Sequence, residues 1–182
     1  MSRWSRQELE DAFASYQQVA LRAGTSGDWR PWADQFTEDA TYVEHGFGTM
    51  CGREAIYNWI STIMKPFPNC EMKYFPIEWY MIDKQRGWIS CFVWNRMADP
   101  GDGSLHQAGN LTLLKYAGNG LFSYEEDAYN PATFGAMIVA WINARKRCTD
   151  GEASAEKRHL GTLKDDMKKK RDGGRGAGGE GQ

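Results

Sequence analysis

An adjacent carboxylate and imidazole, Glu44 and His45, are the residues best suited to chemistry in this chain. They follow a short apolar segment with strand character, residues 40–43, and they precede a glycine-rich turn. A carboxylate and an imidazole at a strand end can transfer protons near neutral pH. Successive side chains of a strand point to opposite faces, so only one of the two is expected to face a pocket. The sequence leaves open which one, because Glu44 shares a face with Tyr42 and His45 with Val43.

The elements that position this pair follow from hydrophobic period and turn residues. A capping box, Ser5 with Glu8, predicts the start of a first helix. The strand at residues 40–44 lies between a short helix at 31–36 and a helix at 53–64. Four further strands, separated by hairpin signals, are predicted at residues 70–82, 87–97, 105–116 and 121–129. Pro131 then begins a last helix that is expected to end near residue 147.

Composition limits the classes of protein that this chain can represent. Its 182 residues fit one domain, and the 13% of aromatic residues suits a cavity or an interface. The net charge is −2, but it is unevenly spread: residues 145–182 carry +4 and the remainder −6. An acidic body argues against a nucleic-acid surface on the fold.

The cysteines and the termini set further expectations. The four cysteines form no C-x-x-C pair and there are only three histidines, so we expect no zinc site. There is no signal-like start and no apolar run long enough to span a membrane. We therefore expect a cytoplasmic protein with reduced thiols.

The division of the chain follows from a change in composition after Cys148. Residues 149–182 are polar, basic and glycine-rich, and this composition predicts a disordered tail. Residues 1–148 are then the folded domain. A basic run at residues 168–171 leaves open a weaker idea, that the tail contacts an acidic partner.

The order of elements, with the segment 36–42 and the turn 46–52, resembles the nuclear transport factor 2-like superfamily, and the SnoaL-like branch in particular. That branch is related to ketosteroid isomerases and scytalone dehydratases. The resemblance covers residues 7–146. It implies an α+β fold, a cone-shaped barrel in which a curved, mostly antiparallel sheet wraps around helices and leaves an apolar cavity. Pairing of two copies through the outer face of the sheet is common in such proteins, so a homodimer is expected.

The resemblance also implies which residues could act. Glu44 takes the place of the aspartate base of ketosteroid isomerases, and Tyr16 on the first helix resembles their oxyanion donor. His106, Asn110, Tyr16 and His45 together resemble the proton-transfer set of dehydratase-like members. No metal or organic cofactor is implied.

Two departures from these relatives stand out. Ketosteroid isomerases place a second acid on the fourth strand, where this chain has Thr112 and no Asp or Glu between residues 105 and 124. An Asp-Arg-Asp set of the limonene epoxide hydrolase type is not evident either. The acidic run at residues 125–127 is interpreted here as a solvated strand edge.

An apolar ring-shaped ligand is the expected occupant of the cavity. Its walls are predicted to include aromatic and amide side chains, namely Tyr42, Trp59, Trp94, Asn110 and Phe122. We expect an enzyme that shuffles protons or eliminates water on a steroid-like or polyketide-like molecule. The alternative is a module of the same fold that binds an apolar ligand or a partner protein without catalysis.

Overall fold

The computed structural model describes residues 3–173, with side chains described as far as residue 152 and at residue 162. The helices are α1 (Arg6–Ser26), α2 (Arg30–Ala33), α3 (Arg53–Ile63) and α4 (Pro131–Gly173), with a 3-10 turn at Asn69–Glu71. The strands are β1 (Phe36–Glu44), β2 (Gly48–Cys51), β3 (Met72–Tyr74), β4 (Ile77–Asp83), β5 (Trp88–Met97), β6 (Gln107–Gly118) and β7 (Leu121–Ala128).

The strands form one sheet in the order β2-β1-β7-β6-β5-β3, with β4 also paired to β5. The β1–β7 pair is parallel, and the other pairs are antiparallel. The sheet is curved and does not close on itself. The predicted α+β fold with a mostly antiparallel sheet is therefore confirmed.

Helix α1 forms where the capping box indicated. The Ser5 hydroxyl accepts a hydrogen bond from the Glu8 amide at 3.0 Å, and the helix ends at Gly27 with a φ of 79°. Its buried face, which includes Leu9, Phe13 and Tyr16, packs into the main core. This packing fixes Tyr16 against the inner side of the sheet.

Several boundaries differ from the sequence prediction. The strand expected at residues 40–44 begins at Phe36, within the helix expected at 31–36, which is limited to Arg30–Ala33. The single strand expected at residues 70–82 is a 3-10 turn followed by β3 and β4, which are separated at Pro76 because proline has no N–H for a sheet ladder. The turn expected at residues 46–52 contains β2, which pairs back onto β1 from Thr41↔Cys51 to Glu44↔Gly48. Helix α4 continues to Gly173, past the end predicted near residue 147.

The predicted domain boundary at residue 148 stays a prediction. Residues 174–182 of the predicted tail lie outside the described residues. Within the described part of the chain, no helix has the length and apolar character needed to cross a membrane.

The two faces of the sheet have different surroundings. On β5, Ile89 and Cys91 are fully buried, and Val93 and Asn95 line a cavity, so the odd-numbered residues face inward. The even-numbered residues, Trp88 among them, therefore face outward. The helices cover the inner face, and the cavity lies between them and the sheet.

Candidate functional site

The cavity has a volume of about 300 Å³ and is mainly apolar. Helices α1 to α4 and strands β1 and β3 to β7 contribute to its wall. The polar and ionisable side chains of the wall are Tyr16, Gln17, Tyr42, Glu44, Asn69, Asn95, Asn110, Thr112, Glu125, Asp127 and Tyr129. A cavity of this size can hold a small cyclic molecule.

Strand β7 supplies two carboxyl groups, Glu125 and Asp127, to the cavity. They stand two residues apart and therefore on the same face of the strand. Glu125 is only 2% exposed, and the Tyr16 hydroxyl lies 2.8 and 2.9 Å from its two carboxyl oxygens. Asp127 keeps part of its surface open, although protein groups surround it.

Asp127 is held by three hydrogen-bond donors. Its Oδ1 accepts from the Thr112 hydroxyl at 2.5 Å and from Asn110 Nδ2 at 2.7 Å. Its Oδ2 accepts from the Tyr42 hydroxyl at 2.5 Å. Asn95 extends the network, because its Nδ2 donates to Asn110 Oδ1 at 2.7 Å. These bonds fix the carboxyl group in one orientation on the cavity wall.

The surroundings raise the pKa of both acids, but not equally. Loss of solvation raises the pKa of Asp127 to about 6, helped by the charge of Glu44 and opposed by the donors Thr112, Tyr42 and Asn110. Loss of solvation, with the charge of Asp127, raises the pKa of Glu125 well above its ordinary value. Near neutral pH Asp127 is therefore mostly ionised, whereas the surroundings of Glu125 favour its protonated form.

Glu44 is a third acid on the wall, and it is 4% exposed. Its Oε2 accepts hydrogen bonds from the amides of Gly46 at 2.7 Å and Phe47 at 2.6 Å, so it fixes the turn after β1. A Cβ added to Gly46 would lie 2.7 Å from the Tyr129 hydroxyl and 3.2 Å from Glu44 Oε2. Glycine at residue 46 therefore lets Tyr129 and Glu44 approach each other.

The phenols near these acids stay protonated. Burial, followed by the charges of Glu125 and Asp127, raises the pKa of Tyr16 and of Tyr42 well above the ordinary value. Burial and the hydrogen bond to Glu44 raise the pKa of Tyr129 as well. At neutral pH these side chains act as hydrogen-bond donors to carboxylates.

Aromatic rings form much of the remaining wall. The Tyr42 and Trp59 ring centroids are 4.9 Å apart, and those of Phe47 and Trp59 are 6.2 Å apart. The Trp59 indole nitrogen is buried and has no hydrogen-bond partner among the described residues. A buried donor without a partner on a cavity-lining residue suits a ligand that brings an acceptor.

The structure brings together five of the residues that the sequence singled out, and these line the cavity: Tyr16, Tyr42, Glu44, Trp59 and Asn110. It also shows which of Glu44 and His45 faces the cavity. Glu44 faces inward with Tyr42, whereas the side chain of His45 is 54% exposed and pairs with Glu126 at 2.9 Å. Glu44 and His45 therefore do not share a pocket.

The other three predicted residues do not line the cavity. His106 lies just before β6, where its Nε2 is 2.9 Å from the Ser104 hydroxyl. Trp94 lies on the outer face and donates from Nε1 to Glu78 Oε2 at 2.7 Å. Phe122 is fully buried in the core, with its ring 5.5 Å from that of Tyr16.

The interpretation of residues 125–127 as a solvated edge was wrong for Glu125 and Asp127. The reason is an irregularity in β7: Lys115 pairs with Tyr124 and Tyr116 with Phe122, which leaves Ser123 as an extra residue. Simple alternation from buried Phe122 turns Tyr124 and Glu126 inward, whereas the bulge turns Glu125 and Asp127 inward. Alternation of apolar and polar residues around Phe122 does not indicate this bulge, so the sequence could not predict it.

In the described part of the chain, no three His, Cys, Asp or Glu side chains are grouped so that they could hold a metal ion. The three acids of the cavity are instead distributed along its wall and bonded to separate donors.

Comparison with known proteins supports the fold. No protein-family model and no curated protein matches the sequence. Among solved structures, a SnoaL-like polyketide cyclase assigned in Jannaschia sp. CCS1 aligns with a TM-score of 0.57 and 13% identity, covering 76% of this chain and 97% of that one.

Two further solved structures show the same similarity. A ketosteroid isomerase-like protein from Catenulispora acidiphila, in complex with trimethylamine, has a TM-score of 0.54 and 21% identity, over 74% of this chain and 94% of that one. An NTF2-like protein from Anabaena variabilis has a TM-score of 0.53 and 12% identity, over 71% and 94%. Identities this low show the fold alone. The chain thus has the nuclear transport factor 2-like fold, with SnoaL-like proteins among its structural neighbours, as the sequence resemblance implied.

Proposed function

We propose that this protein is a SnoaL-like lyase or isomerase that works without a cofactor and moves protons on an apolar cyclic small molecule, such as a steroid or a polyketide. The observation that carries the proposal is the carboxyl pair on β7. Glu125 and Asp127 share one apolar cavity, and loss of solvation raises the pKa of both, that of Asp127 to about 6. Two acids in different protonation states can serve as general acid and general base.

Asp127 is the proposed base. With a pKa of about 6 it is mostly ionised at neutral pH, yet it is more basic than an ordinary aspartate. Its Oδ1 accepts two hydrogen bonds, whereas Oδ2 accepts one, from Tyr42. A carboxylate oxygen has two lone pairs, so Oδ2 keeps one for a substrate proton.

Glu125 is the proposed acid. Loss of solvation, with the charge of Asp127, raises its pKa and favours its protonated form, which suits it to deliver a proton to the substrate while Asp127 removes one. The proton count then balances within the pair: Asp127 gains what Glu125 loses. Tyr16, bonded to both Glu125 oxygens, holds the group in place.

Glu44 remains a second candidate for the base. It lines the same cavity, but its Oε2 is already bonded to two turn amides. We propose no catalytic role for His45 or His106, since neither lines the cavity.

The structural neighbours favour this class of activity. A SnoaL-like polyketide cyclase and a ketosteroid isomerase-like protein, each covered over more than nine-tenths of its length, share the fold. Ring-shaped substrates and a volume of about 300 Å³ are compatible.

The proposal is tested by proton exchange on model substrates. The α-protons of cyclic ketones such as 2-tetralone are followed by NMR in D₂O, and ring opening of 5-nitrobenzisoxazole reports proton abstraction from carbon. We expect the wild type to accelerate these reactions and Asp127→Asn to lose about 10²- to 10⁴-fold, the usual contribution of a general base.

The matched control is Glu126→Gln, a neighbouring acid on the outer face of the same strand. It should leave the rates unchanged. Glu44→Gln separates the two candidate bases, because a loss larger than that of Asp127→Asn assigns the base to Glu44. If the wild type is no faster than Asp127→Asn and Glu44→Gln, the enzyme proposal fails, and a non-catalytic module that binds an apolar ligand becomes the better description.

We also propose that two copies pair through the outer face of the sheet, in a cytoplasmic protein. Large apolar side chains are exposed on this face, including Trp79, Met81, Trp88 and Leu111. Such a patch is unusual on a monomer. Sedimentation velocity should show a dimer for the wild type and a monomer for Leu111→Glu.

A further inference from the structure

The charge of the cavity wall is one-sided. Three acids line it, Glu44, Glu125 and Asp127, and no Lys, Arg or His occurs among the described residues of the wall. A carboxylate in such surroundings is ordinarily paired with a cation. Here the donors are neutral hydroxyls, amides and backbone N–H groups.

Nearby cationic side chains contact other groups. His45 pairs with Glu126 on the outer face. The Lys115 ammonium lies 3.6 Å from the centroid of the Tyr124 ring. Tyr124 alternates along β7 with the inward-facing acids, so this contact lies on the outer face of the sheet. Arg30 pairs with Asp34 and Glu54. None of these cations lines the cavity.

The hydroxyls of the cavity are also committed to the acids. Tyr16 donates to Glu125, and both Tyr42 and Thr112 donate to Asp127. A negatively charged oxygen on a ligand would have to compete with these two acids for the same donors. A positively charged ligand would leave every one of these hydrogen bonds in place.

The aromatic part of the wall suits the same kind of ligand. The rings of Tyr42, Phe47 and Trp59 form a contiguous cluster in which successive centroids lie 4.9 and 6.2 Å apart. The negative face of such rings attracts ammonium groups, most strongly where water is excluded. Carboxylate and ring face are two independent features of one cavity that favour positive charge.

We infer that the substrate of this cavity is a ring-bearing organic cation, an apolar cyclic molecule that carries an ammonium group. The inference rests on the proposed function insofar as it names the substrate class of the same site. An organic cation fits better than a metal ion, because the three acids are not grouped to ligate one. The rings would contact the apolar part of the molecule, and the Asp127 carboxylate would supply the opposite charge.

The test compares two probes of the same shape, benzyltrimethylammonium and its neutral carbon isostere 2,2-dimethylpropylbenzene. Binding to the full-length wild type is measured by calorimetry and, for the sparingly soluble hydrocarbon, by quenching of Trp fluorescence. We expect the cation to bind at least about tenfold more tightly, as a charged contact in a partly desolvated site allows. This comparison needs no variant and hence no assumption about folding.

Variants then locate the charge that matters. Asp127→Asn should remove most of the preference for the cation, whereas the outer-face control Glu126→Gln should keep it within about twofold. Circular dichroism checks that both are folded. If the hydrocarbon binds as tightly as the cation, or if neither probe binds, the inference is overturned.

The outcomes separate this inference from the proposed function. Proton exchange on a neutral ketone together with equal binding of both probes rejects the cationic substrate alone. Selective binding of the cation without any proton exchange rejects the enzyme alone and leaves a module that binds organic cations.

Discussion

Acidic side chains lie on both faces of strand β7, which pairs with β1, but their pKa values shift in opposite directions on the two faces. On the inner side, loss of solvation raises the pKa of Glu125 and Asp127. On the outer side, hydrogen bonds from Tyr124 and His45 lower the pKa of Glu126, which stays close to water. Neighbouring residues of one strand thus differ in role because the strand has a wet face and a face toward the cavity.

Adjacent acidic residues in a sequence can therefore have different environments and different roles. Glu126 forms an ordinary surface network, and such pairs contribute little to stability. Glu125 and Asp127 are costly to keep in an apolar cavity, and this cost is typical of residues retained for function. The inner and outer acids are therefore expected to respond differently to pH and to substitution.

The largest expected effect is the change in the rate of proton exchange with pH. If Asp127 is the base, the rate of proton exchange rises about tenfold per pH unit below its pKa of about 6 and then levels off. Between pH 4 and 7 the rise is roughly 100-fold. Glu126→Gln should have the same profile, and a flat profile in the wild type would remove Asp127 from the mechanism.

Stability should depend on pH with a sign set by the inner acids. The folded-state pKa of Asp127, about 6, lies above its ordinary value of 3.8, so the folded protein binds this proton more tightly than the unfolded chain. The stabilisation is full below pH 3.8 and is lost as pH rises through about 6, to a total of about 3 kcal/mol. Urea unfolding of wild type and Asp127→Asn at several pH values measures it.

In this experiment Asp127→Asn should become more stable relative to the wild type as the pH rises. Glu126→Gln should show a smaller change of opposite sign, because the lowered pKa of Glu126 contributes stability that is lost as the pH falls. Identical slopes for the two variants would show that folding does not shift the pKa values of Asp127 and Glu126 in opposite directions.

Removal of the Tyr42 hydroxyl should change the pKa of the proposed base, Asp127, without abolishing its function. Its hydrogen bond lowers the pKa of Asp127, so Tyr42→Phe should raise that pKa and move the acidic limb of the rate profile to higher pH. The free energy of unfolding should fall by about 1 kcal/mol. Tyr124→Phe, which removes the corresponding bond to Glu126, is the matched control and should leave the profile unmoved.

The smallest effect is expected for the outer pair. His45→Ala should change the free energy of unfolding by less than about 1 kcal/mol, since the imidazole is exposed and its carboxylate partner is hydrated. It should not alter proton exchange. A loss of activity comparable to that of Asp127→Asn would show that His45 takes part in catalysis.

Much of the fold could be predicted from the sequence because its signals are local. The capping box placed the start of α1, hairpin turns indicated an antiparallel sheet, and the order of elements led to the family resemblance. The strand end at Glu44 was also recognised, together with the choice between Glu44 and His45. Local propensity and period determine such features before any long-range contact forms.

The chemistry of the cavity depended on long-range contacts. Tyr16 meets Glu125 across 109 residues, and Tyr42 meets Asp127 across 85. Which acids face inward on β7 depends on a bulge at Ser123, and a one-residue change of register turns every following side chain to the other face. The sequence by itself determined the elements and the inventory of acids; the tertiary structure alone decided which acids share the cavity, because only register and packing set the face of a strand.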